Sequence, residues 1–100
     1  MLELNGNNFD WDSDKNLINI NKHGISFREA ATVFSDINAI EIDDEKHSQE
    51  EDRFLIIGRS SKLRLLVVCH CYRENDTIIR IISARKAVND EIKLYGGDET

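Results

Sequence analysis

The fold turns on residues 64–84. They read Arg64-Leu65-Leu66-Val67-Val68-Cys69-His70-Cys71-Tyr72, then a polar break containing Glu74-Asn75-Asp76, then Thr77-Ile78-Ile79-Arg80-Ile81-Ile82-Ser83-Ala84. Two runs rich in Leu, Ile and Val joined by so short a gap form an antiparallel hairpin, because a parallel crossover takes a dozen residues or more. Arg53–Arg59 is a third such run, set off by Ser60-Ser61-Lys62, and Ala39–Asp43 alternates as a short fourth strand. The acidic stretch between them, Asp44–Asp52, carries His47-Ser48 and reads as a loop. These runs predict a twisted antiparallel sheet of about four strands.

Helices flank that sheet on both sides in sequence. Asp12 or Ser13 can cap a helix reaching about Lys22, closed by Gly24, with Leu17, Ile18 and Ile20 as a narrow buried stripe. Before it, Phe9-Asp10-Trp11-Asp12 reads as a brief edge strand. Ser26-Phe27-Arg28-Glu29 fits a capping box, and Phe27, Ala30, Ala31 and Phe34 recur at i, i+3, i+4, i+7 to define one buried face. At the far end Ala87–Tyr95 places Val88, Ile92 and Tyr95 on one helical side and stops at Gly96-Gly97. The order β-α-α-β-β-β-β-α describes an α+β domain, N-terminal helices and a C-terminal helix packed on the sheet. Leu65–Val68 and Ile78-Ile79 are apolar on both faces, so helices cover one face and a partner, or a longer helix, shields part of the other.

One hundred residues, 32% charged and 40% hydrophobic with no proline, suit one domain spanning 1–100 and not a disordered segment. No apolar run approaches the roughly 20 residues of a membrane span, and Met1–Asn5 has neither the basic flank nor the apolar stretch of a signal peptide. A cytoplasmic protein without a membrane role is the expectation. The net charge of −6 is unevenly spread. Residues 1–52 hold 13 Asp/Glu against 4 Lys/Arg, whereas 53–88 hold 8 Lys/Arg against 2 Asp/Glu. That balance argues against general nucleic-acid affinity while leaving one segment able to bind phosphate.

Several side chains could carry chemistry. Arg64, Leu66, Val68, His70 and Tyr72 alternate onto one side of their strand. Arg80 interrupts an apolar run, so it is either paired with a carboxylate such as Asp52 or Asp43 or aimed into a functional pocket. Whether it shares the face of Arg64 and His70 depends on a register that a one-residue slip would reverse. Arginine forks suit phosphate, and a nearby histidine could move a proton near neutral pH. The plainer reading of His70 is a strand histidine bonded to backbone, and that of His23 a cation at a helix C-terminus. Cys69-His70-Cys71 is no metal site, since the cysteines and the histidine point to opposite faces and no second ligand pair exists. No metal or other cofactor is expected.

The longer motifs resemble a known family. Phe9-Asp10-Trp11-Asp12, Lys22-His23-Gly24-Ile25-Ser26-Phe27-Arg28-Glu29-Ala30, Val33-Phe34-Ser35-Asp36, Glu51-Asp52-Arg53, Leu65–Val68 and Arg80-Ile81-Ile82-Ser83-Ala84-Arg85-Lys86-Ala87 are similar to the BrnT toxins of bacterial type II toxin–antitoxin systems. The resemblance runs from about residue 9 to Tyr95. It implies a RelE-like fold and a metal-independent endoribonuclease that stops growth. It also implies neutralisation by a small ribbon-helix-helix, BrnA-like antitoxin, with promoter DNA bound only through that antitoxin. For RNA it nominates Arg53 and Arg80 as phosphate contacts, Arg64 beside them, His23 or His70 as proton carrier, and Lys22, Arg85 and Lys86 along the strand of RNA. A catalytically inactive interaction module of the same fold is the competing expectation.

Overall fold

The protein is described by a computed structural model over residues 1–47 and 51–96; Ser48 of the His47-Ser48 pair, and Gly97, lie outside the described residues. The chain runs β1 (Leu2–Leu4), β2 (Asn7–Asp10), α1 (Ser13–His23), α2 (Phe27–Thr32), a 3-10 turn at Val33–Ser35, β3 (Ile40–Asp43), a second at Glu45–His47, β4 (Phe54–Arg59), β5 (Leu65–Arg73), β6 (Ile78–Lys86) and α3 (Asn89–Tyr95). It is an α+β fold with three helices on a six-stranded mixed sheet, ordered β1-β2-β6-β5-β4-β3.

The sequence reading requires correction at the N-terminus. Phe9 and Asp10 belong to an inner strand, β2, which lies parallel to β6, and β1 adds a further strand outside it. β1 is three residues long and joins β2 through Asn5 and Gly6, both at positive φ, too short a signal for an apolar run to reveal. Connectivity permits the parallel pairing: everything from α1 to β5 intervenes between β2 and β6, ample for a crossover.

The helices begin and end where capping chemistry places them. Asp12 accepts hydrogen bonds from the Asp14 and Lys15 amides, and Gly24 closes α1 at φ 71°, a conformation glycine adopts without strain. Ser26 accepts from the Glu29 amide, and Phe27, Ala30 and Ala31 are fully buried against the sheet. The expected return bond of the capping box is absent because the Glu29 carboxylate points to Arg64 and Ser60 instead.

Helix α1 is inverted relative to expectation. Leu17, Ile18 and Ile20 are exposed, and the buried residue is Asn19. Its side-chain amide donates to the carbonyls of Ile25 and Ala84, each at 2.9 Å, and its carbonyl accepts from the Ala84 amide at 3.1 Å. β2 pairs with β6 only through residues 78–80, so Ala84 has no neighbouring strand on that side. Asn19 supplies the missing backbone partner, joining α1 to the sheet by hydrogen bonds rather than by apolar contact.

The core lies on one sheet face, where Phe9, Ile56, Leu66, Val68, Ile79, Ile81 and Ala84 meet Ile25, Phe27, Ala30, Ala31 and Val33. Gly58 is required there, since a Cβ would sit 2.9 Å from both Val33 and Ala39. The other face is partly shielded by α3. Ile57 and Val67 are buried on that side, Glu91 of α3 reaches Arg85, and the Tyr95 hydroxyl donates to Asp36 at 2.6 Å. Of the stripe predicted for α3, Val88 is exposed rather than buried.

Candidate functional site

Strand parity and one bulge build the site. β5 pairs with β6 as Cys69↔Ser83 and then His70↔Ile81, so Ile82 is an extra residue in β6. In a regular strand residues 80 and 85 would face opposite sides. The bulge shifts the alternation by one, and Arg80 and Arg85 emerge together on the face away from α1 and α2, where Arg80 is paired with Cys71 and Arg85 with Val67. Arg53 joins them. Continuing the register Phe54↔His70 by one step places Arg53 opposite Cys71, so Arg53 and Arg80 flank Cys71 on the two neighbouring strands, roughly 10 Å apart at the backbone.

On this open face lies a cavity of about 600 Å³. Arg53, Arg85, Lys46, Asp44, Glu91 and Cys69 line it, with Leu55, Ile82 and Ser83 among the others. Each arginine of the face has a carboxylate in reach. Arg85 makes a two-pronged pair with Glu91 at 2.8 and 2.7 Å, Arg80 stands 3.5 Å from Asp10, and Arg53 stands 3.9 Å from Glu51. The hydrogen bond from Arg85 holds the Glu91 carboxyl below the usual range, so it stays ionised. Burial pushes the Cys69 thiol up to about 11, helped by Asp44, whose carboxylate takes the thiol hydrogen bond at 3.7 Å. Cys69 is therefore a neutral thiol and no nucleophile at physiological pH.

The remaining predicted residues lie elsewhere. Arg64 is on the helix-bearing side, clamped onto the Glu29 carboxylate through Nε at 2.9 Å and through Nη2, and donating to the Gly24 carbonyl at 3.1 Å. Arg64 lowers the pKa of Glu29 by its hydrogen bond, and Glu29 is buried. His70 is fully buried on that same side, edge-on to Phe34 at 4.8 Å. Its Nδ1 is 3.0 Å from the Val68 carbonyl, which can only accept, and its Nε2 is 2.7 Å from Glu41. Tyr72 donates to the same Glu41 oxygen. Cys69 and Cys71 face the opposite side from His70, and among the described residues no group of three His, Cys, Asp or Glu side chains could hold a metal ion.

Lys22 and His23 occupy the last turn of α1, exposed and half-buried respectively, two and one residues before Gly24, whose carbonyl Arg64 holds. Lys86 is exposed near the same end of β6, two residues beyond the Ala84 that Asn19 grips. The structure thus brings Arg53, Arg80 and Arg85 together on the open face. It gathers Lys22, His23, Arg64 and Lys86 at one end of the helix side, and it seals His70 inside. Of the carboxylates of the open face, Asp10 and Glu51 fall in the stretches Phe9–Asp12 and Glu51–Arg53 that the sequence singles out, whereas Asp44 and Glu91 carry no pattern that separates them from its other acids. For Asp10 the parallel β2–β6 pairing would have been the signal, and for Glu91 its three-residue spacing from Val88, whose amide it accepts at 2.9 Å.

No helix of the chain is long and apolar enough to cross a membrane. A family described as the ribonuclease toxin BrnT of type II toxin–antitoxin systems matches residues 11–91. Among solved structures, the 1.1 Å crystal structure of the Brucella abortus ribonuclease toxin BrnT is similar at a TM-score of 0.63 and 24% identity. That alignment covers 83% of this chain and 99% of that one, and shows a shared fold. No curated protein matches the chain.

Proposed function

The chain belongs to the BrnT family of ribonuclease toxins of type II toxin–antitoxin systems, and from that premise we propose that it cleaves RNA without a metal on the open face of its sheet. The observation that carries this reading is the bulge at Ile82, which aligns Arg80 and Arg85 on the face that bears Arg53. In this reaction the RNA 2′-hydroxyl attacks the adjacent phosphorus, a cyclic phosphate forms and a 5′-hydroxyl departs. Arg53 and Arg80 stabilise the charge that gathers on the phosphoryl oxygens. Asp44, which shares the cleft with Arg53, accepts the 2′-hydroxyl proton, and water supplies the proton with which the 5′-oxygen leaves as a hydroxyl. Arg85, Lys86, Lys22 and His23 hold flanking phosphates at the end of β6 and over the last turn of α1 packed against it. His70 and Arg64 support the scaffold from the opposite side. The protein acts in the cytoplasm, and a ribbon-helix-helix antitoxin neutralises it and brings the pair to promoter DNA.

The test is incubation of purified, antitoxin-free protein with defined RNA in EDTA, beside an Arg53→Ala/Arg80→Ala double variant. Cleavage by the wild type that is lost in the variant supports the assignment. Equal cleavage by both removes the open face from the reaction. One observation favours a second reading, a catalytically inactive interaction module: the guanidinium of each open-face arginine already faces a carboxylate. Folded protein that binds antitoxin and cleaves no RNA, free or on ribosomes, would establish that reading.

A further inference from the structure

At the sheet margin opposite β1, two features meet. β3 is the outer strand, paired with β4 through Ile40↔Ile57 to Asp43↔Phe54, and among the described residues no strand pairs with its other side. Its outward amides and carbonyls form a template for an added strand, and Ile42 is exposed on it. Beside β3 opens a hollow of about 550 Å³, lined by Glu41, Glu51, Asp52, Phe54, Tyr72 and Asp76. Phe54 and Tyr72 form its apolar walls, ring centroids 5.5 Å apart and edge to face. Tyr72 is fixed by its bond to Glu41, which buried His70 holds from below. Asp52 and Asp76 at the rim have no ionic partner among the described residues, whereas Glu51 is paired with Arg73 at 3.3 Å. Flat aromatic walls beneath unpaired carboxylates match a guanidinium, which stacks on rings and forks onto carboxylate oxygens.

We propose that β3 and this hollow receive an extended, arginine-bearing segment of the antitoxin, adding as a strand along Ile40–Asp43 and seating a guanidinium between Phe54, Tyr72 and the rim carboxylates. The proposal rests on the reading of the chain as a toxin with a protein antitoxin. RNA does not suit the place, because four carboxylates face the space its phosphates would enter. A second copy does not suit it either, since its own β3 would bring Glu41 and Asp43 against their like. The partner strand carries apolar and basic residues in alternation, the complement of Ile-Glu-Ile-Asp.

The probe is a hexapeptide of alternating valine and arginine, titrated into isotope-labelled protein by NMR beside a valine–glutamate counterpart. Shifts at Ile40–Asp43, Tyr72 and Asp76, with no binding of the acidic peptide, are expected. Asp52→Asn/Asp76→Asn, both exposed and with asparagine tolerating the left-handed backbone at residue 76 (φ 67°), melts as the wild type does and weakens binding by about tenfold, as expected for two lost surface ion pairs. No binding, shifts confined to other surfaces, or equal affinity for both peptides overturns the proposal. RNA cleavage is measured on the same samples. Absence of cleavage by the wild type would strike the ribonuclease reading alone, and the peptide map would still decide this one.

Discussion

Replacing Asn19 by alanine should cost this domain a large share of its stability. The Asn19 side chain is 6% exposed and makes three hydrogen bonds, two to Ala84 and one to Ile25. Alanine leaves the Ala84 amide and carbonyl and the Ile25 carbonyl without partners in a buried place. An orphaned buried group costs about 1–3 kcal/mol, so the three together come to about 3–9 kcal/mol, and the low end applies because water can enter the space the shorter side chain leaves. Alanine's better helix propensity returns about 0.6 kcal/mol. The expected loss is therefore about 3 kcal/mol, against the 5–15 kcal/mol typical of whole domains. Urea unfolding reads it directly, as a midpoint lower by about 2 M at an unchanged slope near 1.5 kcal/mol/M. Asn21→Ala, exposed on the same helix, gains the propensity and loses nothing, so it should be neutral or slightly stabilising. Asn19→Asp keeps the shape but removes both donated bonds, and should be at least as damaging as alanine. A loss under about 1 kcal/mol for Asn19→Ala would show that α1 is not anchored by this amide.

Other measurements follow from the same geometry. The two buried thiols should resist iodoacetamide at pH 7.5 in native protein and react promptly in urea; fast native alkylation of Cys69 would contradict its raised pKa. Hydrogen bonds from Arg64 and Arg85 hold the Glu29 and Glu91 carboxyls below their ordinary value of 4.5. Their stabilisation is complete above that value and fades as pH falls through the lower folded values, so a melting temperature constant from pH 4.5 to 3 would refute it. If Arg53, Arg80 and Arg85 each displace one counterion, affinity for single-stranded RNA should fall with salt at a log–log slope of about −2, and a slope near zero would remove them from the interface.

The antiparallel β4-β5-β6 part of the sheet was legible because its runs are apolar and separated by short polar gaps, and β3 by its alternation. The caps at Asp12, Ser26 and Gly24 were legible too, since each rests on local chemistry. What escaped the sequence was non-local. The parallel β2–β6 pair joins residues about 70 apart, and nothing near Phe9 announces its partner. The exposed Leu17-Ile18 and buried Asn19 reverse the usual rule, because a sheet edge needing donors and acceptors outbids apolar burial at that one place. The site depended on the same kind of information. Period-two counting separates Arg80 from Arg85, and only a bulge that leaves no mark in Arg80-Ile81-Ile82-Ser83-Ala84-Arg85 brings them to one face.

Every arginine named for this site has a carboxylate partner, so pairing alone cannot distinguish scaffold from functional surface; the burial of the partner can. The Glu29 side chain facing Arg64 is 3% exposed, and desolvation locks that pair, since separating it would strand a charge in the interior. The Asp10 side chain facing Arg80 is 32% exposed overall and stands 3.5 Å away; its Oδ1 is shielded from solvent and makes no hydrogen bond among the described residues, so Arg80 holds it by charge alone, while the rest of the carboxylate meets water. A half-buried pair of that kind, without a hydrogen bond, is worth about 1 kcal/mol, less than a charge-assisted fork onto phosphate supplies. The open-face carboxylates would then hold their arginines in place until phosphate displaces them, whereas Glu29 never yields Arg64. The two substitutions that test this give opposite results. Asp10→Asn should leave the melting temperature almost unchanged and tighten RNA binding by up to about fivefold, the equivalent of 1 kcal/mol. Glu29→Gln should destabilise the fold by on the order of 3 kcal/mol and leave the RNA affinity of the folded fraction as it was. Weaker RNA binding by Asp10→Asn would mean that Asp10 positions Arg80 for phosphate rather than competing with it. An undisturbed Glu29→Gln fold would return Arg64 to the pool of cations available to RNA.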